Sequence, residues 1–343
     1  MHVEPFMQTL CMNGSSERAV PRYVSTGHLP KGGHVQALIN DAHSRFGSTM
    51  GGDNTRVYPA LATVSRELFG ICAVDVDGSV YACGDSDIAF AMMSVAKPFV
   101  FALLCQEFGP QKVRRVIGVN ATGLPYGSLT AVERSAAGRT NPMVNPGAIA
   151  TTNLAPGRDP EAQWEFLCEG ISRFAGHQLA LDDAVYRSAS ATNFRNQSAA
   201  QLLADYRLVK DPIAAVELYT RQSCLAVTAR DLATMGATLA NGGVNPLTGV
   251  RVVEADVCRY TLAVMATAGL YENSGEWLYA IGLPGKSGIG GGIVTAAPGK
   301  GGLGTYAPPL DEAGNSVKGQ KATRFLSEQL GLNLFASEPS TNS

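Results

Sequence analysis

Long apolar runs are missing from this chain. None approaches the roughly 20 residues that cross a bilayer. The opening Met-His-Val-Glu-Pro-Phe also lacks a basic start followed by an apolar stretch, so no secretory signal is read and a cytoplasmic protein is expected. Histidine is scarce: of five, His2, His28, His34 and His43 lie near the start, which leaves His177 as the one base in the body for a Ser-His-Asp triad. The seven cysteines are scattered, odd in number and without C-x-x-C spacing, so they are expected as reduced core thiols rather than disulfides or zinc ligands. Charge of one sign is lacking too. With 27 Lys and Arg against 29 Asp and Glu, dispersed along the chain, neither nucleic acid nor an anionic membrane is an expected partner. Internal repeats and low-complexity tracts are absent.

What is there belongs to a globular chain, at 45% hydrophobic and 16% charged. Residues 1–32 mix Gly, Ser and Pro with isolated hydrophobics and are expected as a flexible arm, with 336–343 as a tail. Between them a single catalytic domain over 33–335 is expected, with a helical subdomain at about 110–265. Val35, Leu38, Ile39, Ala42 and Phe46 recur at helical spacing up to Gly47. Residues 68–76 and 79–83 read as strands joined by Asp77-Gly78, a strong hairpin signal. Short helices are expected on either side of a loop at 118–128, and longer ones at 164–174, 197–207, 212–222, 229–240 and 254–266. The stretch 141–148, rich in Asn, Pro and Gly, reads as a loop that holds hydrogen-bonding side chains. Residues 278–284, 292–297 and 303–308 read as three strands linked by Gly-rich turns, with a last helix near 316–330. Strands at both ends with helices between predict an α+β body in which the two strand groups share one antiparallel sheet.

Two stretches carry chemistry. Ser94 and Lys97 lie three apart at the head of an apolar segment; in a helix they share a face, and a desolvated lysine can take a serine proton. S-x-x-K alone is a weak motif and reads first as an ordinary buried helix. Far downstream, Lys286-Ser287-Gly288 opens a glycine run that is similar to the lysine–hydroxyl–glycine edge strand of penicillin-recognising serine enzymes, where backbone N–H groups, here those of Ile289 and Ser94, form an oxyanion hole. The run does not meet the G-x-x-x-x-G-K-[ST] pattern of a phosphate loop.

Together with 94–97 and 286–293, the motifs Asn141-Pro142-Met143-Val144-Asn145-Pro146-Gly147-Ala148, Met265-Ala266-Thr267-Ala268-Gly269-Leu270-Tyr271 and Pro308-Pro309-Leu310-Asp311-Glu312-Ala313-Gly314-Asn315-Ser316 resemble the serine-dependent glutaminases, in order, over 58–334. The resemblance implies a β-lactamase-like fold and hydrolysis of L-glutamine to L-glutamate and ammonia with no cofactor and no metal. It also implies a homodimer or homotetramer. Ser94 would be the nucleophile, Lys97 its proton acceptor and Tyr271 a proton donor to the leaving nitrogen. Asn145, Asn196 and Tyr219 would bind substrate, and Ile289 would supply an oxyanion-hole N–H; Lys286 and Ser287 are further candidates. Two positions depart from the family habit. Asp-Tyr-Ile-Pro would place a tyrosine where Val57 stands, with Tyr58 one residue on, and Ala189 stands where a glutamate would hold the substrate's α-ammonium; Asp182 and Asp183 are the nearby carboxylates. These departures keep open two alternatives: an amidohydrolase of the same mechanism acting on a different amide, and a non-catalytic binding protein on the same fold.

Overall fold

A computed structural model of the chain describes residues 29–30 and 32–336. The expected arm, except for its last few positions, and the expected tail from 337 on lie outside the described residues, as do His2, His28 and Cys11.

Strand β1 (Gly70–Asp75) turns at Asp77-Gly78 into β2 (Val80–Gly84), with Gly78 N–H donating to Asp75 O at 3.0 Å. Two short strands, β3 (Phe90–Ala91) and β4 (Ala226–Val227), pair with each other apart from the main sheet. Strands β5 (Gly285–Ser287), β6 (Gly292–Ala297) and β7 (Gly301–Tyr306) close the chain's β content. The main sheet runs β2-β1-β7-β6-β5, antiparallel throughout. Its two strand groups meet where β1 pairs with β7, Gly70 opposite Tyr306.

Period-two alternation gives the central strands two apolar faces, so both must be covered. Ile71, Ala73, Ile293 and Leu303 point to one side, where Val35 and Ile39 of helix Gly32–Gly47 and Leu326 of helix Val317–Gln329 pack on them. On the other side, Cys72 and Val74 meet Ala233 and Ala237 of helix Ala229–Ala240. This helix lies against the sheet although it falls within the expected helical region. A Cβ on Gly302 would lie 2.2 Å from Ala233 O, and one on Gly304 2.0 Å from Ala229 O, so glycine is what lets the helix sit that close. Thr228 and Asp231 fix its start with a reciprocal capping box.

Behind this layer runs helix Ala96–Phe108, buried continuously from Ala96 to Cys105. From Pro98 to Cys105 this helix is apolar on every side, so it has no solvent face there and becomes the centre of the core. Phe99, Val100, Phe101 and Leu104 are at most 1% exposed. Each contributes about 1.5–3 kcal/mol by leaving water. Their burial holds the head of the helix, and therefore Ser94 and Lys97, in one place.

Three sequence expectations are corrected. Residues 278–284 are not a strand: Ser274–Ile281 is a helix, and β5 begins at Gly285, inside the expected turn. A short apolar run does not reveal its period. The burial pattern resolves it, with Trp277 and Ile281 buried four apart and Tyr279 88% exposed. The stretch 141–148 is buried rather than a loop, and a helix, Asn145–Thr152, starts inside it with Pro146 in its first turn. Helix Asp183–Thr192 was not expected; Asp182 caps it by accepting from Val185 N–H at 3.0 Å. The remaining expected helices and the final one over Val317–Gln329 are present within a few residues. The six described cysteines are free, and five of them are buried. No helix among the described residues is long and apolar enough to cross a membrane.

Candidate active site

Ser94 sits where β3 turns into the central helix. Met92 N–H donates to Leu225 O at 2.9 Å, and Met93 takes a left-handed φ of 48°, unusual for a side-chain-bearing residue. The chain then makes a 3-10 turn, Met93–Val95, before Ala96–Phe108 begins. Lys97 falls in the first turn of that helix, 2% exposed.

Lys97 makes no ion pair among the described residues. Its Nζ donates to Asn145 Oδ1 at 2.6 Å and Met143 O at 3.4 Å, both neutral acceptors. Burial alone brings its ammonium down from 10.5 to about 7, because the charged form has lost water and gained no carboxylate. That makes the amine a base near neutrality.

From Asn145 a line of amides extends outward. Asn145 Oδ1 also accepts from Tyr219 OH at 3.3 Å, and its Nδ2 donates to Asn196 Oδ1 at 3.0 Å. Asn196 Nδ2 donates to Asn193 Oδ1 at 2.6 Å, and Asn193 Nδ2 donates to Thr220 Oγ1 at 2.6 Å. Tyr58 OH reaches Asn193 Oδ1 at 3.4 Å. Three helices and the segment before β1 are joined by this chain. Burial raises the Tyr219 phenol well above its usual value and pushes Tyr58 up to about 12, so both are hydroxyl donors at neutral pH.

On the opposite side, the end of β5 comes against the head of the central helix. A Cβ on Gly288 would lie 2.8 Å from Met92 O and 3.4 Å from Ser94 N, a space that only glycine leaves open. Ile289 follows at the wall of the pocket. Lys286, fully buried, donates to Gly269 O at 2.8 Å and Ser287 O at 2.6 Å and lies 4.2 Å from the centre of the Tyr271 ring. Burial, then the charge of Lys97, drives the Lys286 ammonium well below its ordinary value. Tyr271, with a left-handed φ of 54°, donates to Ser287 O at 3.3 Å. Burial raises its phenol far above the usual range, offset in part by hydrogen bonding to Ser94 and Ser287. Ser287 Oγ turns away and donates to Asn315 Oδ1 at 2.6 Å, so it braces the strand end rather than facing the pocket.

The sequence candidates thus converge. Ser94, Asn145, Asn196, Tyr219, Ile289, Tyr58 and Ala189 line one cavity of about 320 Å³, while Lys97, Tyr271, Lys286 and Ser287 stand behind its wall. Tyr58 faces this cavity beside Val57, although Val57 is half exposed. Asp182 is occupied as a helix cap and Asp183 is exposed, so neither replaces a carboxylate at Ala189. Sequence reasoning overlooked Asn193, which knits Asn196, Tyr58 and Thr220 together three residues before a candidate it did single out. It overlooked Tyr126 as well, whose ring lies 4.5 Å from that of Tyr271 and whose carbonyl accepts from Asn145 N–H at 2.8 Å. Nothing in its loop sequence marks it. A larger cavity of about 780 Å³, lined by Arg114, Arg134 and Arg139, contains none of the candidates.

An antiparallel sheet between helical layers, with a serine and lysine at a buried helix head and a lysine–serine–glycine strand end against them, defines an α+β protein of β-lactamase-like fold. A profile of the Glutaminase family matches residues 52–335, and the chain belongs to that family. It is 59% identical over 327 residues to Glutaminase 2 of Yersinia pestis, covering 95% of this chain and 96% of that protein. With Glutaminase 1 of Escherichia coli (strain K12) the identity is 45% over 303 residues, covering 88% and 97%. Among solved structures, the probable glutaminase ybaS superposes with a TM-score of 0.88 at 44% identity, covering 90% of this chain and 100% of that one. Mglu in its glutamate form gives 0.83 at 34% identity, covering 89% and 70%.

Proposed function

We propose that this protein hydrolyses L-glutamine to L-glutamate and ammonia, with Ser94 as nucleophile. One observation carries the reading: the Lys97 amine is buried without a carboxylate and brought down to about 7, at the helix head that bears Ser94. Neutral Lys97 takes the Ser94 proton as Oγ adds to the side-chain amide carbon. The Ser94 and Ile289 N–H groups hold the oxyanion. Tyr271 then passes a proton to the amide nitrogen, the C–N bond breaks and ammonia leaves. Water adds to the glutamyl ester by the same groups in reverse, which releases glutamate and restores the serine. Asn145, Asn196, Tyr219 and Tyr58 hold the substrate, and Lys286 fixes the strand end and the Tyr271 ring.

Membership of the glutaminase family supports the reaction, and the buried lysine supports the mechanism. Ammonia release from L-glutamine by purified protein, beside Ser94→Ala, tests both. The expected result is release that falls at least about a thousandfold in the variant; unaltered release from Ser94→Ala would remove the serine from the mechanism. The homodimer or homotetramer, the cytoplasmic location and the single catalytic domain over 33–335 with its helical subdomain rest on the resemblance and on composition. Light scattering and cell fractionation test the first two, and limited proteolysis the last.

A further inference from the structure

The pocket that opens on Ser94 has no aspartate or glutamate in its wall. Its single formal charge is Arg195, which is exposed, takes part in none of the ion pairs among the described residues and is close enough to influence the Tyr126 phenol across the pocket. Around Ala189 the wall is apolar: Ala189 is 1% exposed and clusters with Met93, Val185 and Cys224, with Ile289 packed on them.

The acids in the vicinity are turned elsewhere. Asp182 accepts from Val185 N–H, and Glu217 accepts from Tyr186 OH. Glu272 accepts from Tyr126 N–H and lines two neighbouring clefts but not this one. The amide oxygens of Asn145, Asn196 and Asn193 already accept from side chains of the site. The C-terminal end of helix Pro212–Ser223 reaches the wall through Thr220, Ser223 and Cys224, but a helix end carries only a partial charge and does not replace a carboxylate. Helix Asp183–Thr192 ends at Asn193, where Phe194–Asp205 begins, so a negative and a positive helix end meet and largely cancel.

An ammonium brought into such a pocket loses water and gains no carboxylate. A carboxylate gains the Arg195 guanidinium. We propose that the preferred substrates are ω-monoamides of dicarboxylic acids that carry no α-ammonium, with L-glutamine hydrolysed less efficiently. The inference rests on the hydrolytic reading above and changes only the part of the substrate remote from the amide. The amide C–N bond is still the one cleaved, water still supplies the new oxygen, and ammonia still leaves.

The test compares kcat/KM for ammonia release from glutaramate, the five-carbon monoamide, and from L-glutamine, using the full chain. Glutaramate is expected to exceed glutamine at least tenfold, with the difference mainly in KM. Ala189→Glu is expected to reverse the order. Because a carboxylate buried at 189 can unfold the protein, the wild-type ranking decides the matter by itself. Glutamine equal to or better than glutaramate in the wild type overturns the proposal, while Ser94-dependent release leaves the serine mechanism standing. Release from neither amide by folded protein overturns both.

Discussion

Lys97 and Asn145, 48 positions apart in sequence, meet at 2.6 Å, Nζ to Oδ1. An amide oxygen accepts an N–H without adding negative charge, so it orients the amine and leaves its neutral form favoured. A carboxylate in the same place would orient it equally well and lock the proton on. The pair therefore separates positioning from charging.

The pH dependence follows from this. The proposed mechanism needs neutral Lys97, so kcat is expected to rise with pH through about 7 and then level off. Asn145→Asp places a negative charge against Nζ, favours the ammonium and is expected to move that limb to higher pH by at least about one unit, equivalent to about 1.4 kcal/mol. Stability has a linked sign. The folded value lies below the ordinary 10.5, so between about 7 and 10.5 the unfolded chain holds the extra proton, and stability rises with pH across that window. Rate profiles and melting curves for the two proteins check both statements. A limb unmoved in Asn145→Asp would mean that Lys97 is not the group titrating.

Gly288→Ala tests the contact between the strand end and the helix head. Its Cβ would meet Met92 O at 2.8 Å, so β5 must retreat by a few tenths of an ångström from Ser94 N. Such overpacking costs about 1–3 kcal/mol. The same retreat would carry the Ile289 N–H off the proposed oxyanion position, and one lost donor is worth roughly a hundred- to thousandfold in kcat. Thermal unfolding beside steady-state kinetics checks the pairing: a modest loss of stability with a large loss of kcat is expected.

The sheet was legible in the sequence because Asp77-Gly78 and the glycines between β6 and β7 mark turns that only a few residues permit. The central helix was legible as an apolar segment with Ser94 and Lys97 at its head. Residues 278–284 were misread because Trp277 and Ile281 face a core that is built from distant strands, which local period does not report. Burial of 141–148 was missed for a related reason. Asn141 is fully buried because its Nδ2 donates to Asn120 O and its Oδ1 accepts from Met143 N–H, partners that composition does not disclose. Ser94, Lys97 and Asn145 were singled out from motif, whereas Asn193 and Tyr126 join them through contacts made only in the folded chain.

Tyr58→Phe and Val57→Tyr separate the two hydroxyl positions ahead of β1. Both residues line the pocket, Tyr58 with its hydroxyl toward Asn193 and Val57 50% exposed. Removing the Tyr58 hydroxyl is expected to lower kcat/KM about tenfold, the usual worth of one hydrogen bond to a neutral partner. Val57→Tyr is expected to leave stability within about 0.5 kcal/mol and not to rescue Tyr58→Phe. Kinetics of the two single variants and the double variant check this; rescue would show that Val57 occupies the functional position.

Asn193→Ala is expected to combine a stability loss with a binding loss. Asn193 is 4% exposed, and its side chain accepts from Asn196 Nδ2 and donates to Thr220 Oγ1, both at 2.6 Å. Alanine leaves the buried Asn196 Nδ2 without its acceptor, while Thr220 Oγ1 keeps its bond to Val216 O at 2.7 Å, and one such unsatisfied donor costs about 1–3 kcal/mol. Asn196 then loses the bond that holds its amide toward Asn145, so KM is expected to rise while kcat changes little, because Lys97 keeps Asn145 Oδ1. Urea unfolding and steady-state kinetics measure the two parts separately. A double-mutant cycle with Asn196→Ala measures the link between them, and groups in one hydrogen-bonded chain are expected to couple by about 0.5–3 kcal/mol. If the two losses simply add, Asn196 is held by its own helix rather than by Asn193, and Asn193 acts on stability alone.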